Sequence, residues 1–329
     1  MNLKPRAIKS DIPVKMNKPE NEKPSRWSFL KVLREYSNLK EYYPEINPYA
    51  EAYRWKENLY CIFAPSVLGG CGDMWVYLII GPEKALLIDT ALGLGDLKGL
   101  CEKLADGKEI ICANTHNHLD HIGGNSQFDK VYINEFDAEV LEEHNNPKFM
   151  REKLLNPDGT GKDAEFDVNQ LVKHQHYEIV PVKDGHIFDL GAGYEVELIH
   201  LSGHTAGQSA FYDKQTKCLF IGDTTSAWGG DAGERYPQYC TVNSFRDRVK
   251  RVIDKYGDEI SGVYPGHGVL DLHPIVLQYE LDTCNQIIEH PDWSSKTVMF
   301  GETRELCAQY IYQFGSDFKY SKNAIIKED

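Results

Sequence analysis

At 329 residues, 41% of them aliphatic, aromatic or cysteine, the chain can bury one large core or two small ones. Its 36 Lys and Arg against 50 Asp and Glu leave a formal charge of −14, which repels a phosphate backbone and, with no basic patch to override it, argues against nucleic acid as a partner. Eight scattered cysteines with no C-x-x-C pair, no N-terminal apolar segment and no unbroken run of about 18 apolar residues point to a cytoplasmic protein with reduced thiols, neither exported nor membrane-spanning.

Residues 1–25 are polar and contain several prolines, as expected of an extended arm. Trp27, Leu30, Val32, Leu33 and Tyr36 then recur at roughly helical spacing and predict a short helix. The Pro44–Asn47 region interrupts any helix and sets the expected boundary: an arm over 1–48, a catalytic domain over 49–290 and a tail over 291–329. Two apolar runs, 75–80 and 85–88, flank Gly81-Pro82-Glu83 and read as a β-hairpin. A helix is expected over 94–105, a strand over 109–113 and a helix over 135–143, and the polar stretch 145–175 reads as an irregular insert. Strands follow at 179–182, 195–201, 210–213, 217–221 and 262–264, with helices at 244–255 and 275–289. Strands in series with helices at intervals predict an α/β sandwich.

The run Thr115-His116-Asn117-His118-Leu119-Asp120-His121 crowds four metal-liganding side chains into six residues, on a turn after an apolar strand. His204 in S-G-H-T, Asp223 in I-G-D-T and His267 in P-G-H-G each follow another short apolar strand. If those strands share one sheet edge, their loops converge, and five His with two Asp suffice for two metal ions. Imidazole and carboxylate with no cysteine among them favour zinc, with iron or manganese as alternatives. His174-x-His176 lacks the Asp-His continuation and reads as solvated surface.

Taken together, L-I-D-T at 87–90, T-H-x-H-x-D-H, S-G-H-T-x-G, the strand ending in Gly222-Asp223, and P-G-H-G resemble the metallo-β-lactamase superfamily in its order, from about Leu59 to about Glu289. The resemblance implies a four-layer αββα sandwich, with His116, His118 and His204 on one metal, Asp120, His121 and His267 on the second, and Asp223 bridging. It further implies that Asp89, which by its place alone could equally be a turn residue closing its strand, supports the metal loops. The implied chemistry is hydrolysis by a hydroxide bridging the metals, with Asp120 as the catalytic acid/base.

Aspartate rather than cysteine at 223 disfavours β-lactam hydrolysis, and the sequence is most similar to glyoxalase II-like and lactonase-like hydrolases. It departs from several lactonases in having Ser226 where they have tyrosine, and the basic C-terminal elements that hold glutathione in true glyoxalase II are not recognisable. The expected substrate is therefore a small ester, thioester or lactone, with Trp75, Trp228 and Tyr236 as candidate pocket walls. Rival readings are a mononuclear-iron persulfide dioxygenase on the same fold and a non-catalytic binding protein. The arm and the tail are expected either to cap the pocket or to form a homodimer interface.

Overall fold

The computed structural model describes residues 12–17, 29–69, 72–224, 226–227, 235–292, 294, 296–300, 304–311 and 316–325. An antiparallel meander, Lys40–Glu41, Glu51–Lys56, Leu59–Ala64, Met74–Ile80 and Lys84–Ile88, forms five strands of an eight-stranded sheet. Glu109–Ala113, Lys130–Asn134 and Glu178–Val182 extend it in parallel. A second, five-stranded sheet orders Ile187–Asp189, Glu195–His200, Ser209–Asp213, Cys218–Gly222 and Gly262–Pro265. The helices in chain order are α1 Phe29–Tyr36, α2 Leu97–Leu104, α3 Leu119–Ile122, α4 Glu135–His144, α5 Phe149–Leu154, α6 Val242–Tyr256 and α7 Ile275–Glu289.

The central strands read as unbroken apolar runs because they are covered on both faces. Alternation sends Tyr60, Ile62, Met74, Val76 and Leu78 outward under α2 and α4, where Leu97, Leu100 and Leu141 meet them. It sends Phe63, Trp75, Tyr77 and Ile79 inward against Leu198, Phe211, Phe220 and Tyr264 of the second sheet. The far face of that sheet packs Leu219, Ile221 and Val263 on Val249 and Val252 of α6 and Leu277 and Leu281 of α7. The result is the αββα sandwich.

Trp75 is therefore not a pocket wall. It is 1% exposed, edge-on to Tyr53 and Phe63 at 5.9 and 5.5 Å, and its indole N–H donates to the Gly268 carbonyl at 2.9 Å. Strand parity, not proximity in sequence to the glycine-rich loop, sets its direction. Tyr236 stands edge-on to Phe136 at the start of α4, beside Arg235, which pairs with Glu139 and Glu143. Trp27 and Trp228 lie outside the described residues.

The insert is more ordered than its polarity predicts. It contains α5 and a 3₁₀ turn at Val168–Gln170, and Leu154, Leu155 and Leu171 bury themselves with Val67 and Leu92 in a small separate core. Lys15–Met16 pairs with Ala164–Glu165 of the insert. Lys40–Glu41 joins the large sheet, so the sheet runs through the boundary placed before residue 49. Beyond α7, Lys296–Phe300, Arg304–Ile311 and Ser316–Tyr320 form a small sheet with Ser226–Ala227, and Phe318 and Tyr320 enter the α6/α7 core. Among the described residues the cysteines are buried and form no disulfide, and no helix is long and apolar enough to cross a membrane.

Candidate metal centre

Strand direction brings the ligand loops together. Glu195–His200 is antiparallel to Ser209–Asp213, which is antiparallel to Cys218–Gly222, which is parallel to Gly262–Pro265. The strands preceding His204, Asp223 and His267 thus all end at one edge. In the other sheet Lys84–Ile88 and Glu109–Ala113 run parallel and deliver Asp89 and the His-rich turn. Backbone bonds Ser209 N–H to Thr115 O and Trp75 N–H to Gly266 O, both 2.8 Å, join the two edges. Two glycines are required there. Gly222 has φ +57° with Thr115 Cβ 2.8 Å from where its own Cβ would stand, and a Cβ at Gly266 would meet Asp223 Oδ1 at 2.8 Å.

Three groups of side chains could each hold a cation: His116, His118 and His204; His116, His121 and Asp223; and Asp120, His121 and His267. His118 Nδ1 and His204 Nε2 approach to 2.8 Å. Asp223 Oδ1 lies 3.5 Å from His121 Nε2, while Oδ2 lies 3.7 Å from His204 Nε2 and 3.5 Å from His267 Nε2. Asp120 Oδ2 lies 3.4 Å from His267 Nε2. All seven residues read from the sequence come together, with Asp223 between the outer two groups.

Outer hydrogen bonds decide which ring nitrogen faces inward. Asp89 Oδ2 accepts from His121 Nδ1 at 2.8 Å, leaving Nε2 as the inward lone pair. The Thr115 hydroxyl donates to the same oxygen at 2.8 Å and receives His116 Nδ1–H at 2.9 Å, so His116 also presents Nε2. Asp89 Oδ1 accepts the Thr115 N–H at 2.7 Å, and the left-handed φ of Asp89, 67°, turns its carboxylate under the loop. His267 Nδ1 donates to the Asp73 carbonyl at 2.9 Å, turning Nε2 toward the carboxylates.

Electrostatics divide the cluster. Burial holds His116 and His118 below the ordinary imidazole range and sets His204 at about 3. Burial also works against a charged His121, but Asp89, Asp223 and Asp120 outweigh it and raise that ring to about 10. Burial opposes the charge on Asp120 too, yet His121 and His267 hold it at about 2. Loading the centre with cations therefore means removing protons from His121 and His267.

Asp137, which the sequence reading passed over, ties the two halves of the histidine set. It is 1% exposed, and its carboxylate accepts from Asn117 N–H at 3.1 Å, Thr205 Oγ1–H at 2.7 Å and Gly207 N–H at 2.7 Å. Asn117 sits between His116 and His118, and Thr205 follows His204. Burial pushes the Asp137 carboxyl up to about 6 against those three bonds. In the sequence it looks like an ordinary acid in the first turn of a helix, a common complement to the helix dipole.

Thr224, beside Asp223, donates to Glu280 Oε1 at 2.8 Å, while Glu280 Oε2 is buried without a partner. Burial pushes this carboxyl up to about 8 despite the Thr224 bond. Because the folded value lies above the unfolded one, the contribution to stability is complete below about pH 4 and is lost as pH rises through about 8. Glu280→Gln, which cannot ionise, should therefore gain on the order of 4–5 kcal/mol over the native chain near pH 9 and on the order of 1 kcal/mol or less near pH 5. Urea unfolding at the two pH values checks this; an equal difference at both would refute it.

Residues 69–276 match the family model of the metallo-β-lactamase superfamily. The chain belongs to that superfamily. A human acyl-coenzyme A thioesterase, MBLAC2, is 27% identical over 209 residues, covering 58% of this chain and 72% of that protein. A hydroxyacylglutathione hydrolase of Synechococcus sp. is 27% identical over 161 residues, 48% of this chain and 51% of that one. Among solved structures, a metallo-β-lactamase from Pontibacter korlensis superposes with a TM-score of 0.51 at 20% identity, covering 71% of this chain and 97% of the other; that likeness concerns the fold. Within that superfamily the chain is similar to relatives named as hydrolases.

Proposed function

We propose that the chain hydrolyses the thioester of a small acyl carrier, using two metal ions held by His116, His118 and His204, by Asp120, His121 and His267, and by a shared Asp223. The observation that carries this reading is the convergence of those seven side chains around two buried ring nitrogens that make no hydrogen bond. His116 Nε2 and His121 Nε2 are buried and make no hydrogen bond, His121 Nε2 having only Asp223 Oδ1 at 3.5 Å, and such atoms are costly unless a cation meets them. The donor set of nitrogen and carboxylate oxygen suits zinc, and iron or manganese also fits. Relatives named for acyl-coenzyme A and for hydroxyacylglutathione support the thioester among the bonds such a centre can cleave.

Bound there, the metal ions supply an activated water at neutral pH and polarise the carbonyl. The protein's part is proton handling and orientation. Asp120, ionised at neutral pH and 12% exposed at its side chain, takes a proton from the attacking water and returns it to the departing sulfur as the carbon–sulfur bond breaks. Asp89 and Thr115 hold His121 and His116 in the tautomers that leave Nε2 free.

Protein purified without added metal or chelator should contain close to two zinc ions per chain and release thiol from an acyl thioester. Prolonged dialysis against a chelator should abolish that release and zinc should restore it. Elemental analysis together with a thiol-release assay checks both. One iron per chain with oxygen consumed would overturn the reading.

A further inference from the structure

A second cavity, about 210 Å³, lies beside α3. It is lined by Ile122 and Gly123, which directly follow the ligand His121, and its polar wall is Ser126, His144, Arg151, Lys173 and His174. Arg151 and Lys173 line it without an acidic partner among the described residues. His144 stacks on Phe149, with ring centroids 3.9 Å apart and 13° between planes. One of its nitrogens bonds the backbone of Asn117, between ligands His116 and His118. The other, Nδ1, is buried without a partner. Ser126 Oγ and His174 Nδ1 stand 3.3 Å apart on the same wall.

We infer that this cavity seats the phosphorylated end of the substrate's carrier, which makes the substrate a coenzyme A thioester; the inference rests on the thioester reading above. Two unpaired cations in a chain of net charge −14 form a local reversal of field that suits phosphate, and arginine suits it most. The volume is below the roughly 300 Å³ that encloses a drug-sized ligand, so it takes a phosphate and its sugar while the thioester arm runs on toward the metal loop, to which His144 is bonded.

The test is calorimetric titration of desulfo-coenzyme A, which lacks the thiol that would bind metal, into the full chain and into R151E/K173E. One site per chain is expected, weakened at least tenfold in the double variant and by added salt. In parallel, the ratio of kcat/KM for an acyl-coenzyme A over the same acyl group on N-acetylcysteamine should fall at least tenfold. Absent binding, equal binding by both proteins, equal competition by inorganic phosphate, or an equal loss on a glutathione thioester would each overturn the assignment. A chain that binds desulfo-coenzyme A through these residues yet splits no thioester keeps the cavity assignment and loses the hydrolase reading instead.

Discussion

Asp120→Asn should lower kcat for thioester hydrolysis by about 10²–10⁴-fold, or roughly 3–5 kcal/mol of barrier. The amide has the shape of the carboxylate and can still offer an oxygen toward His267, but it cannot accept a proton at neutral pH. Asp120 is suited to proton transfer because it remains ionised while touching the cluster: His121 and His267 hold it at about 2 against the effect of burial. The decisive measurement pairs steady-state kinetics with metal analysis of the same sample. A variant that keeps its metal and loses kcat assigns Asp120 to proton handling; one that keeps both removes it from the chemistry, and one whose activity falls only in step with metal content leaves it a ligand alone.

Asp137→Ala should lower stability by about 3–5 kcal/mol and weaken metal binding by roughly 10–100-fold. Alanine strands three buried donors, Asn117 N–H, Thr205 Oγ1–H and Gly207 N–H. Metal binding suffers because the same carboxylate holds the backbone beside His116, His118 and His204. Asp137→Asn, which keeps one acceptor oxygen and the shape, should fall between. Chemical denaturation and zinc titration against a competing chelator check both effects; a stability loss with unchanged zinc affinity would reduce Asp137 to a packing role.

Much of the centre was legible in the chain because its signals are local. Four ligands in six residues need only one turn to come together, and the single ligands at 204, 223 and 267 announce themselves through an apolar strand before and glycine beside them. The strands were legible for the same reason: an apolar run such as Met74–Ile80, closed by Gly81-Pro82, needs nothing distant to be extended. What sequence order could not show is the partner of a side chain across the fold. The Asp137 bonds span 68 and 70 residues, and they exist only because parallel strands deliver α4 beside the loop of His204. The same holds for Trp75, whose parity in its strand turned it into the core. It holds for the insert too, whose leucines are too sparse to show a period and find their apolar partners only around Val67 and Leu92. Spacing along the chain determined which residues could bind metal and which segments were strands. The order and direction of those strands, set by burying two faces of two sheets at once, decided which neighbours hold the ligands in place.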